Sequence, residues 1–146
     1  MKNTLYIINM KKNKLEFDLD FKFSVFAINS PVKGYKLAWL INHALRIDLK
    51  KKDDLIIDLK KNLAIQVANF LHQDQHITIR LIHNHNKFHD EQKKMLIPEL
   101  KSFDFLLIID AEMDIEEHVY LKKLREINQV LLVKSFDPNQ LRSKEN

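Results

Sequence analysis

The sequence predicts a single α+β domain: a mostly antiparallel sheet of about six strands, two main helices packed on one face, and a short C-terminal helix. Three observations carry this. Several segments alternate apolar and polar residues and are joined by short polar links. Two other segments carry apolar stripes at helical spacing behind helix-start signals. A chain of 146 residues with 45% apolar and 30% charged content suits one globular unit.

The regular pattern begins at Leu15, so residues 1–12 are expected to form a loosely attached N-terminal extension and 13–146 the domain. Leu15, Phe17, Leu19, Phe21 and Phe23 alternate with Glu16, Asp18, Asp20 and Lys22, which reads as one long amphipathic strand. Its phase changes near Val25-Phe26, through either a bulge or burial on both faces. Ser30-Pro31 then signals a helix start, a capping hydroxyl followed by proline at the first helical position. Leu37, Leu40, Ile41, Ala44 and Leu45 form its stripe, and the helix should end near Arg46.

Three antiparallel strands are expected next, on Leu55-x-Ile57-x-Leu59, Leu63-x-Ile65-x-Val67 and Ile77-x-Ile79-x-Leu81. The stretch from Asn84 to Met95 is polar and reads as loop with a short helix. Phe103 to Ile109 is a continuous apolar run, hence a central strand buried on both faces. Asp114 and Glu117 make an Asp-x-x-Glu box before a helix faced by Met113, Tyr120, Leu121, Leu124 and Ile127. A final strand is read at Val130–Val133, giving a strand–helix–strand crossover, and Asp137-Pro138 starts the terminal helix.

The low counts exclude function classes. One glycine cannot write a dinucleotide fingerprint or a phosphate loop. No cysteine means no disulfide, thiol nucleophile or thiolate metal site. The longest apolar run, Phe105 to Ile109, is far short of the roughly 18 residues a membrane span needs. The first ten residues lack a signal-peptide pattern, so a cytoplasmic location is expected.

The net charge is +4 and uneven: residues 1–61 carry 13 basic and 7 acidic groups. Lys50, Lys51 and Lys52 supply part of the excess. They read either as a basic patch for RNA or as solvated lysines that protect an edge strand, and the second reading is the expectation. Tyr35 and Trp39 interleave with Lys33 and Lys36. Such a set suits single-stranded nucleic acid, but packing of both rings against the first strand is expected instead.

Five of the 7 histidines lie between 72 and 89. His76 and His83 are roughly 23 Å apart along a strand, so the five cannot converge. Only His83, His85 and His89 could form a site, and no metal is expected there. Asp110, Glu112 and Asp114 read as helix-start acids rather than as a cation site.

The run Leu96-Ile97-Pro98-Glu99-Leu100-Lys101-Ser102-Phe103-Asp104-Phe105 resembles the signature of an uncharacterised Bacteroidota family, IPExxxDY, named for its Ile-Pro-Glu and Asp-Tyr residues. The segments 26–42, Asp53-Asp54-Leu55 and the ending Leu141–Asn146 are similar too, so the resemblance spans about residues 13–146. Phe105 stands where the family name has tyrosine. Four residues separate Glu99 from Asp104, one more than the name implies, and Gly34 stands where relatives often carry an acid. The resemblance implies a small cytoplasmic protein of unassigned activity with no known cofactor.

Read physically, Pro98 fixes the approach to the central strand and Glu99 accepts backbone or lysine hydrogen bonds. Asp104 interrupts an apolar strand, and a buried carboxylate needs a partner or a raised pKa. It is either a structural anchor or part of a ligand pocket. Two functions follow. The first is a non-enzymatic binding or adaptor domain, for a protein or RNA partner, using either the sheet surface or the region of Tyr35, Trp39, Pro98, Glu99 and Asp104. The second is a small-ligand or enzymatic pocket on Glu99 and Asp104.

Overall fold

Strands that are apolar on both faces belong in the middle of a sheet, and strands rich in lysine belong at its edge. The chain follows that rule. A computed structural model describes residues 8–9, 16–17, 23–58, 64–85 and 102–137. Its elements are β1 (Ile8–Asn9), β2 (Glu16–Phe17), β3 (Phe23–Asn29), α1 (Gly34–Leu45), β4 (Lys50–Asp58), β5 (Ala64–Gln73), β6 (Ile77–His83), β7 (Phe105–Ala111), α2 (Glu117–Arg125) and β8 (Leu132–Phe136). The main sheet has six strands in the order β4-β5-β6-β7-β3-β8, and every neighbouring pair is antiparallel.

Val25, Phe26, Ala27 and Ile28 of β3 are fully buried, as are Leu106 and Leu107 of β7. The β3–β7 register runs without a break from Phe23–Asp110 to Ile28–Phe105. The phase change at Val25 therefore reflects burial on both faces and not a bulge. The irregularity lies instead in β4, between Lys52 and Leu55. Glu16–Phe17 pair with Ile8–Asn9 in a separate two-stranded sheet, so they do not share a sheet with β3 as expected.

The strand–helix–strand unit is a parallel crossover, as expected, but a split one. β7 and β8 both run antiparallel to β3, which lies between them. They are parallel to each other but never neighbours, and α2 carries the chain over the intervening strand.

One core cluster joins alternate residues of the sheet to both helices. It contains Phe26, Ile28, Phe70, Ile79, Leu81, Phe105, Leu107 and Ile109 together with Leu37, Ala38 and Ile41 of α1 and Leu124 of α2. Leu37 and Ile41 are fully buried, each worth about 1.5–3 kcal/mol of apolar burial.

Neither helix starts as its sequence signal suggests. The N-cap of α1 is Lys33, three residues after Ser30, and it makes no side-chain cap bond. At α2 the N-cap is Glu116, and Glu117 does not close a box with Asp114. Its carboxylate instead accepts hydroxyl hydrogen bonds from Ser24 of β3 at 2.7 Å and Ser135 of β8 at 2.6 Å, tying the helix to the sheet. The terminal helix expected after Asp137 lies outside the described residues.

Candidate functional site

At one end of the sheet β3 and β6 finish, β7 begins and α1 sets out. Ser30 follows β3; its hydroxyl oxygen accepts the Val32 N–H at 3.4 Å, and its own two donors go to distant partners. Its N–H donates to Asp104 Oδ2 at 3.0 Å, and its hydroxyl donates to the Gln129 carbonyl at 2.7 Å. Ser30 is only 2% exposed, so the donor side of both bonds is buried. This is why Ser30 does not cap α1: the hydroxyl expected at the helix start holds the approach to β8.

Asp104 sits just before β7 rather than inside it, and its side chain is 33% exposed. Its second oxygen lies 3.5 Å from His85 Nε2. Its backbone joins the same knot, with N donating to Ile28 O at 2.9 Å and O accepting from Asn84 N at 2.7 Å. Asn84 is fully buried and also donates through Nδ2 to Phe103 O at 3.1 Å. One aspartate thus links the ends of β3, β6 and β7.

Beside this knot is a cavity of about 570 Å³, whose lining includes Ser30, Lys33, Gly34, His83, Asp104 and Phe105. The His83 ring packs on Phe105 with centroids 4.8 Å apart, and His85 meets His83 edge-on at 5.2 Å. His83 and His85 are therefore together, but no group of three histidines and acids among the described residues could hold a metal ion. The Ser30 hydroxyl is bound to a carbonyl and is not engaged by His85, so the three do not make a nucleophile–base–acid relay.

Gly34 opens α1, and a Cβ there would stand 3.2 Å from Phe70 Cε2 and 3.5 Å from Phe105 Cε1. The lone glycine lets the helix start lie close against two core rings. An acid at this position would have no room on that side.

From Gly34 the helix turns its aromatics outward. Tyr35 is 68% and Trp39 53% exposed, because Leu37, Ala38 and Ile41 occupy the inner face. The expected packing of both rings against the first strand is overturned. Trp39 lies between neighbours one turn away on each side. Lys36 Nζ is 4.9 Å from its ring centroid, and the His43 ring is at 4.2 Å. His43 Nδ1 donates to the Trp39 carbonyl at 2.9 Å.

Lys50, Lys51 and Lys52 lie within edge strand β4. Lys50 is 3.4 Å from Asp48, and Lys51 is 2.9 Å from Asp54. This is edge-strand chemistry, with part of the charge answered locally. Pro98, Glu99 and His89 lie outside the described residues.

Two features escaped the reading of the sequence. His85 as the companion of Asp104 depends on a contact 19 positions away. Arg80 of β6 is 3% exposed, and its Nη1 donates to Asn69 Oδ1 at 2.9 Å. Its Nε is the one buried side-chain polar atom without a hydrogen-bond partner among the described residues. Burial pushes its guanidinium down to about 10. A lone arginine inside the apolar run Ile79-Arg80-Leu81-Ile82 was the available signal.

No helix among the described residues is long and apolar enough to cross a membrane. No protein-family model, curated protein or solved structure matches this chain.

Proposed function

We propose that this protein is a small cytoplasmic binding or adaptor domain of the IPExxxDY type, without enzymatic activity, that engages a protein or RNA partner through the outer face of α1. The observation that carries this reading is the outward placement of Tyr35 and Trp39, two exposed aromatic rings one helical turn apart on the same face of α1; the other exposed large apolar residues, Ile56, Met113, Leu131 and Leu132, are not aromatic and lie on other elements. Exposed tyrosine and tryptophan on one face are the residue types that anchor interfaces. Asp104 supports the surface from behind. By holding Ser30 it fixes where β3 ends, and so how α1 leaves the sheet. In this reading both helices cover the same face of the sheet, consistent with their shared core cluster.

The test is affinity capture of tagged protein from its own host, with proteins and RNA identified, for wild type and for Trp39→Ala. A partner held by wild type and lost by the variant supports the reading. Equal recovery of every partner refutes it.

A second reading has its own observation. The cavity of about 570 Å³ reaches Asp104 and His83 and is large enough for a small ligand. On that reading Asp104, with Glu99, would contact the ligand. Against it, both carboxylate oxygens of Asp104 already face protein groups.

A further inference from the structure

We infer that the outer face of α1 binds single-stranded nucleic acid, with bases stacking on Trp39 and Tyr35 and phosphates met by Lys33 and Lys36. This rests on the binding-domain reading and names its partner. At 3.6 residues per turn, Tyr35, Lys36, Trp39 and His43 fall within a sector of about 100°, and Leu37 and Ile41 lie on the far side of the helix. All four outer residues are exposed. Aromatic faces with cations at their edges form the usual single-strand platform, because every base has a π-face and every linkage a charge.

Charge favours this partner over a protein surface of mixed charge. No acidic residue occurs between Asp20 and Asp48, so α1 itself carries no carboxylate to repel a phosphate. Among the described residues Lys33 and Lys36 form no ion pair, whereas Lys50 and Lys51 of β4 are met by Asp48 and Asp54. Two cations without an ion pair therefore sit beside the exposed rings, while of the lysine run only Lys52 lacks one among the described residues. Lys36 already lies over the indole at 4.9 Å, within range of a phosphate belonging to a base stacked there. His43 packs on the same ring and bonds back to its own helix, which restrains the indole before anything binds.

Trp39 is the sole tryptophan, so its emission reports on this face alone. The full chain is titrated with oligouridylate and oligothymidylate of about 12 nucleotides, and with heparin, at low salt. Both oligonucleotides, or the RNA alone, should quench Trp39. The affinity should fall with salt at a log–log slope of about −1.4, as expected for two phosphate contacts. By anisotropy of a labelled oligonucleotide, Trp39→Ala should bind about 5- to 100-fold more weakly, and Trp39→Phe should recover most of that loss. Circular dichroism melting confirms that each variant is folded. Absence of quenching by either oligonucleotide, quenching by heparin to the same extent, or undiminished binding by Trp39→Ala each overturns the inference. If Trp39→Ala loses a protein partner while no oligonucleotide binds, the binding-domain reading stands and this inference falls.

Discussion

Replacing Asp104 by alanine should loosen the junction from which α1 departs. Asp104 Oδ2 accepts the Ser30 N–H at 3.0 Å, and Ser30 is 2% exposed. Removing the acceptor strands a buried donor, a penalty of about 1–3 kcal/mol. The His85 contact adds little, being long at 3.5 Å and between groups 39% and 33% exposed, which places it in the range of about 0–1 kcal/mol. The adjacent cavity lets water reach part of the vacated space and trims the penalty. The sum is about 2 kcal/mol. For a domain of this size that corresponds to a fall in Tm of roughly 4–8 °C. Asp104→Asn keeps an oxygen acceptor for Ser30 and should lose only about 0.5–1 kcal/mol. Urea unfolding at neutral pH, with the m-value checked for constancy, measures both. If Asp104→Ala stays within about 0.5 kcal/mol of wild type, a margin typical of surface substitutions, Asp104 is not an anchor. The pocket reading then gains, since a ligand-binding aspartate can be removed without loss of stability.

Three further outcomes follow from the same geometry. Gly34→Val should destabilise by about 1–2 kcal/mol in urea unfolding, because its Cβ alone would stand 3.2 Å from Phe70 and 3.5 Å from Phe105; stability equal to wild type would remove the close-approach explanation. Arg46 caps α1 at φ 58°, ψ 51°, so Arg46→Gly should gain about 0.5–1 kcal/mol, read as a rise in Tm, and a fall would show that the arginine side chain stabilises the fold. Arg80→Met should match or exceed wild-type stability at neutral pH, while Arg80→Ala should lose about 2 kcal/mol or more through its cavity. Because burial sets Arg80 at about 10, well below the value of an arginine in the unfolded chain, the unfolded chain holds more protons above about pH 10. The stability of wild type relative to Arg80→Met should therefore rise with pH above that value and be flat below it, as denaturant titrations on both sides of about pH 10 would show.

The strands were legible because period-two alternation and double-faced apolar runs follow directly from sheet geometry. Ile77, Ile79 and Leu81 marked β6, and Phe105 to Ile109 marked the central β7. The inner face of α1 was equally plain in Leu37 and Ile41. What escaped depended on contacts remote in sequence. Ser30 looked like a cap because its neighbours are right for one, yet its N–H and O–H donate to Asp104 and Gln129, 74 and 99 positions away. Glu117 looked like a box member, but its acceptors are spent on Ser24 and Ser135. No pattern along the chain says that β3 is inserted between β7 and β8.

The site was half legible. Tyr35, Trp39 and Asp104 were singled out, but the rings were expected inside, since large aromatics usually fill cores. The angular position of the aromatics relative to Leu37 and Ile41 held the correction. Tyr35 and Trp39 lie across the helix from that pair, and α1 is covered on one side only. The requirement for Gly34 was invisible because the rings that crowd it, Phe70 and Phe105, come from two other strands.

The outward face of α1 is tested most directly by Tyr35→Ser/Trp39→Ser, with stability and partner capture measured on the same preparation. If these rings serve binding, the double variant melts within about 2 °C of wild type, as exposed positions should, and no longer retains the partner that wild type holds. A variant that unfolds several degrees earlier would show that the rings belong to the core. One that melts normally and still retains every wild-type partner would show that this face is not where the protein binds.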